Sequence, residues 1–153
     1  MFTSRPIAYV HTPHLDTSSI PKGMDAKHVA EGVIEVLREF EEGLKDIEGF
    51  SHLFILWEFD RAEGYSLISN PPNALGLEHG LFATRSPRRP NPIALTVVEL
   101  LRRDGPSLYV RGVDMLDKTP VLDIKPYLSS IPMEKVRRGW LAEAEAKAKT
   151  SGK

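Results

Sequence analysis

The chain has no cysteine among its 153 residues. Disulfides, thiol nucleophiles and thiolate metal sites are excluded together, and a reducing compartment is the expected setting. No window approaches the roughly 20 apolar residues that a membrane-crossing helix needs. The opening "MFTSRPIAYVHTP" also lacks a basic region followed by a long apolar one, so a cytoplasmic protein with no membrane partner is expected. Neither G-x-G-x-x-G after a strand nor a Walker A motif is present, which removes those two phosphate-binding loops. An excess of charge is missing too: 20 Lys and Arg stand against 21 Asp and Glu. Recognition of a polyanion must therefore come from where charges are placed, not from their total.

Hydrophobic residues at 41% and charged residues at 27% are ordinary for a folded chain, and the length suits one core. The expected organisation is a single domain over residues 1–140 and a solvated helix or tail over 141–153. In that tail Glu143 with Lys147 and Glu145 with Lys149 stand four apart in the favourable order. "PIAYV" predicts a strand, and the Pro-, Ser- and Thr-rich stretch after it a long loop. "GVIEVL" predicts a strand, followed by a short helix in which Phe40, Leu44 and Ile47 share a face. One helix from about 26 to 47 is the competing reading, at a cost of about 1 kcal/mol for each of Gly32 and Gly43. "HLFILWEF", residues 52–59, is apolar almost throughout, the pattern of a strand covered on both faces. A second long loop leads to "LFATR", read as a strand. "IALTVVELL" and "SLYVRGVDML" flank "RRDGP", a hairpin signal, and "DKTPVLDIKPYL" reads as a turn and a short strand. Strands dominate without a strand-helix rhythm. The predicted fold is mainly β: a small antiparallel β-barrel with peripheral helices, including one at the C-terminus.

Between Glu78 and Glu99 there is no acidic residue, while Arg85, Arg88 and Arg89 fall within five positions. Arginine presents a planar fork of donors suited to carboxylate or phosphate. Pro87, Pro90 and Pro92 stiffen the same segment, so less entropy is lost when an anion docks. Arginines that merely solvate a loop are the plainer alternative. Phe82 and Tyr127 flank this loop and the "DIKP" stretch and are candidates for stacking on a base. Phe54, Trp57 and Phe59 read as core. His11, His14 and Asp16 are donor types a metal accepts, yet nothing around them supports a site, and no metal is expected.

The segment "GLFATRSPRRPNPIALTVVELL", residues 80–101, closely resembles the signature of the TrmO family, as do "GLKDIEGFSHLFIL" and "GVDMLDKTPVLDIKPYL" in the family's order. The resemblance implies a β-barrel methyltransferase that uses S-adenosylmethionine. Its implied acceptor is N6 of threonylcarbamoyladenosine beside the tRNA anticodon, and its implied assembly a homodimer. By position, cofactor contacts fall on Pro21, Lys22, Gly23, Asp60, Arg61, Arg85, Leu95, Asp117, Lys118, Thr119 and Pro120. The acceptor side falls on Arg88, Arg89, Asn91 and Tyr127, with Arg88 or Arg89 forking onto the threonyl carboxylate. Three positions depart from the family's common residues: Gly23 stands for Gln, Lys118 for Gly and Asp60 for His. The carbamoylated N6 is urea-like and weakly nucleophilic, so a base or a donor on the carbamoyl oxygen would help. The sequence does not choose that group. Two other readings stay open: the same fold acting on another acceptor, and a non-catalytic module binding RNA or an adenosine-like ligand.

Overall fold

The computed structural model describes residues 3–72 and 75–150. Six strands close a barrel: β1 (Ala8–His11), β2 (Glu31–Val36), β3 (His52–Glu58), β6 (Ile93–Asp104), β7 (Ser107–Arg111) and β8 (Pro120–Pro126), in the order β1-β2-β7-β6-β3-β8. All pairings are antiparallel. A two-stranded ribbon, β4 (Ile68–Ser69) with β5 (His79–Gly80), lies within the long excursion between β3 and β6. One helix, α1 (Trp140–Thr150), follows the barrel.

Period-two burial builds the core. Ala8 and Val10, Ile34 and Val36, Leu53, Ile55 and Trp57, and Leu108 and Val110 alternate inward along their strands. The apolar run at 52–59 accordingly buries one face, and its other face is only half covered, not enclosed on both sides as its composition suggested. The predicted hairpin is present: Asp104 pairs with Ser107 across Gly105 and Pro106. Gly105 has φ +58, and proline fixes a negative φ after it, the combination of a type II′ turn.

Three predicted elements differ. Residues 38–49 form two short 3-10 turns, Arg38–Leu44 and Ile47–Gly49, because Asp46 between them adopts a left-handed backbone. Phe40, Leu44 and Ile47 still pack on the core, so the sequence pattern marked the right face. A single helix over 26–47 is ruled out by β2. "LFATR" is a 3-10 turn over Leu81–Ala83 and not a strand, since the Thr84 hydroxyl donates to the Leu81 carbonyl at 2.7 Å and closes it locally. The C-terminal helix buries Leu141 and Ala144, so it is anchored and not wholly solvated. Glu145 pairs with Arg138.

Antiparallel order gathers the long connections at one end. There β1 ends at His11, β2 begins at Glu31, β3 ends at Glu58, β6 begins at Ile93, β7 ends at Arg111 and β8 begins at Pro120. Residues 12–30, 59–92 and 112–119 all emerge together. At this end β6 pairs with β7 only from Glu99 onward, so Ile93–Val98 have a ladder partner in β3 alone. The barrel wall is open along that edge.

Candidate functional site

The opening is a cleft of about 860 Å³, within the range of small-molecule sites. Its apolar wall includes Ile20, Met24, Trp57, Phe59 and Leu95, and its polar groups come from all three connections.

The first connection is stitched to the third. Asp117 accepts from the Thr12 backbone N–H at 3.0 Å and donates its own N–H to the His14 carbonyl at 2.8 Å. The Thr12 hydroxyl donates to Met115 at 3.1 Å. His14, a metal-donor type by sequence, is 5% exposed and spent as a pin: Nδ1 meets Ser19 Oγ at 2.9 Å and Nε2 the Val113 carbonyl at 3.3 Å. These bonds hold residues 17–23 against the cleft. Gly23 there has φ +100, a backbone that side chains resist. Further along, Ala30 accepts from the N–H groups of Gly112 and Val113, which sets His28 beside Asp114.

The arginine loop is braced from within. Arg89 donates one guanidinium nitrogen to the carbonyls of Thr84 and Ser86, each at 3.0 Å. Ser86 bonds Ser69 of β4 at 2.7 Å. From α1, Trp140 stacks on His79 with centroids 4.2 Å apart and donates to the Ala83 carbonyl at 2.8 Å. The loop is a held wall, and it shares the cleft with the turn before β8: Arg85, Pro87 and Arg89 line one side, Leu116 and Thr119 another. Arg61, just past β3, ties the end of that strand to this turn, donating to the Asp117 carbonyl and standing 3.9 Å from Asp60.

Of the residues singled out by sequence, Pro21, Lys22, Gly23, Asp60, Arg61, Arg85, Arg89, Leu95 and Thr119 line the cleft. Asp117, Lys118 and Pro120 do not; they form the turn behind Thr119, where Lys118 takes φ +67 and donates to the Val10 carbonyl. Arg88 and Asn91 are also outside the lining. Their backbones serve the fold, with the Arg88 carbonyl accepting from Ser66 and the Asn91 carbonyl from Ile93. Tyr127 is away from the cleft, packed edge-on against Phe54 at 5.1 Å, and Phe82 is 78% exposed beneath Arg89. Neither ring is placed to stack on a ligand in the cleft.

Sequence reasoning missed the polar centre. The Trp57 indole donates to Thr96 Oγ1 at 2.9 Å, and Thr96 Oγ1 donates to Asp114 Oδ1 at 2.6 Å. His28 Nε2 is 3.9 Å from Asp114 Oδ2. Burial pushes the Asp114 carboxyl above the ordinary carboxylate range, while the Thr96 bond and the charges of His28 and Arg85 pull the other way. A lone aspartate inside the apolar stretch "GVDML" was the available signal.

The tRNA-methyltransferase O N-terminal domain family matches residues 9–132. A Pyrococcus abyssi protein named "Probable S-adenosyl-L-methionine-binding protein" is 46% identical over 142 residues, covering 92% of this chain and 77% of its own. A mouse tRNA (adenine(37)-N6)-methyltransferase is 46% identical over 91 residues, 58% of this chain and 21% of its own. The crystal structure of TrmO from Pseudomonas aeruginosa superposes with a TM-score of 0.73 at 32% identity, over 91% of this chain and 62% of that one. The chain thus spans about three fifths of the crystallised protein and about a fifth of the mouse enzyme.

Proposed function

The chain belongs to the TrmO family, and on that premise we propose that it methylates N6 of threonylcarbamoyladenosine beside the anticodon of tRNA, with S-adenosylmethionine as donor. The observation that carries this reading is the shared cleft, in which an internally braced arginine loop faces the turn before β8 across an apolar wall. The residues present suit the donor. Trp57, Phe59, Leu95, Ile20 and Met24 offer apolar surface for a purine and a thioether, Asp60 a carboxylate for an ammonium, and Arg61 or Arg85 a fork for a carboxylate. When bound, the donor supplies an electrophilic methyl group on a sulfonium.

The protein's own part is positioning. Holding donor and acceptor in line replaces a bimolecular encounter with a near-attack arrangement, worth several kcal/mol without a covalent intermediate. Among the described residues Arg85 makes no side-chain hydrogen bond that braces the loop, and it lines the cleft, where it supports charge recognition. Arg89 keeps one edge on Thr84 and Ser86, leaving its remaining donors for the acceptor's carboxylate. An anticodon loop is single stranded, so a base can leave its stack at low cost. A homodimer belongs to this same proposal.

The test is mass analysis of nucleosides from tRNA incubated with the protein and S-adenosylmethionine, with and without the threonylcarbamoyl group. Methylation only of the modified tRNA is expected. Methylation of the unmodified tRNA means a different acceptor, and donor binding without turnover on either means a binding module.

A further inference from the structure

We infer that Asp114 is the proton acceptor of the methyl transfer, oriented by Thr96 and Trp57 and faced by His28. The inference rests on the acceptor reading above and adds the base that the sequence left unassigned.

The hydrogen-bond chain has only one direction. An indole N–H donates and cannot accept, so Trp57 occupies Thr96 Oγ1 as an acceptor. The single hydroxyl proton of Thr96 then goes to Asp114 Oδ1 at 2.6 Å. Oδ1 is committed as an acceptor whether the carboxyl is charged or neutral, and the titrating proton resides on Oδ2. Oδ2 is the oxygen turned toward His28, at 3.9 Å, too far for a direct hydrogen bond. His28 Nδ1 is buried and has no partner among the described residues.

Position supports the same assignment. Asp114, Thr96, Trp57 and His28 all line the cleft, and the Asp114 side chain is 26% exposed, open enough to meet a ligand and buried enough to be basic. The titratable groups facing it are His28 from the segment before β2 and Arg85 from the arginine loop, with the Thr96 hydroxyl from β6. Burial raises its basicity, as a proton acceptor working near neutrality requires.

The step balances. The bond between N6 and the methyl carbon forms as the methyl–sulfur bond breaks, and the sulfonium leaves as a neutral thioether. The N6 proton passes to Oδ2, turning the carboxylate into a carboxylic acid, so one positive and one negative charge disappear together. Without an acceptor for that proton, the product would be a cationic urea nitrogen.

Asp114→Asn keeps the shape and an oxygen for Thr96 but cannot take the proton. Calorimetric titration with S-adenosylmethionine is expected to give a Kd within threefold of wild type. Single-turnover methylation of threonylcarbamoylated tRNA is expected to fall at least about 100-fold, the usual scale of general-base catalysis. The wild-type rate should climb with pH through a midpoint above the ordinary carboxylate range. Thr96→Val, which removes one of the groups holding that midpoint down, should move it upward, and Thr96→Ser should restore it. A variant Asp114→Asn with the wild-type rate, a flat wild-type profile, or an unmoved midpoint in Thr96→Val overturns the inference. So does a loss of cofactor affinity parallel to the loss of rate, which would make Asp114 a donor anchor. If Asp114→Asn does not fold, the wild-type and Thr96 profiles decide. A wild type that leaves the modified tRNA untouched overturns the acceptor reading and this inference together; an active wild type with an active Asp114→Asn overturns the inference alone.

Discussion

Asp114 illustrates a residue whose chemistry and stability oppose each other. Its folded pKa lies above the ordinary carboxylate value, chiefly from burial. Between the unfolded and folded pKa values the folded state binds more proton, so its contribution to stability is greatest at low pH and is lost as pH rises through the folded pKa. Asp114→Asn is therefore expected to raise the melting temperature at pH 8, with the gain shrinking as pH falls toward the ordinary carboxylate range; a melting series over pH checks it. Lys118 makes a separate case. Its φ of +67 is a left-handed backbone that a side chain resists by about 1 kcal/mol or more, and that glycine adopts freely. Lys118→Gly should stabilise the protein by about 1 kcal/mol in urea unfolding. Because that side chain does not line the cleft, donor affinity should stay unchanged.

At the scale of elements, the arginine loop owes its shape to contacts with distant parts of the chain as much as to its prolines. Thr84 and Arg89 close it locally, Ser69 of β4 supports Ser86, and Trp140 of α1 grips it through His79 and the Ala83 carbonyl. Trp140→Ala removes a stacked pair and a hydrogen bond while leaving the barrel strands untouched. Amide exchange across residues 79–89 should quicken at least tenfold, with strands β3 and β6 unaffected. Equal protection in both proteins would show that the loop stands without the helix. The same contacts explain why a C-terminal segment rich in Ala, Glu and Lys is more than a solvated appendage: Leu141 and Ala144 are buried while its charged face is not.

For the whole molecule, a formal charge of −1 leaves the proposed recognition of tRNA to local fields, yet most arginines outside the loop are already engaged within the protein. Arg111 bridges Glu31 and Glu99 at 3.1 and 2.9 Å, which raises its pKa; Arg103 meets Glu48 and the Leu44 carbonyl; Arg138 pairs with Glu145; Arg102 lies over the Tyr109 ring at 3.7 Å. Arg111→Ala should leave tRNA affinity within about twofold at fixed salt, since its charge is locally offset and such exposed pairs contribute little. Arg85→Ala should weaken S-adenosylmethionine or tRNA binding by at least tenfold, measured by calorimetry or filter binding.

The sequence by itself determined the barrel, the hairpin at Gly105 and the two segments that meet at the cleft, because strand-forming runs and turn chemistry act over a few neighbouring residues; the one-sided burial of residues 52–58 it did not determine. It also carried the family signature. It did not determine which flanking residues reach the cleft: Arg89 does and Arg88 does not, Thr119 does and Asp117 does not, and Tyr127 packs elsewhere. Those outcomes depend on the direction each side chain takes from a turn and on bonds made across 50 to 105 positions, such as Arg61 to Asp117 and Thr12 to Asp117. The Trp57–Thr96–Asp114 chain beside His28 is the extreme case, assembled from two strands, β3 and β6, and two connections that only barrel closure brings within a few ångströms.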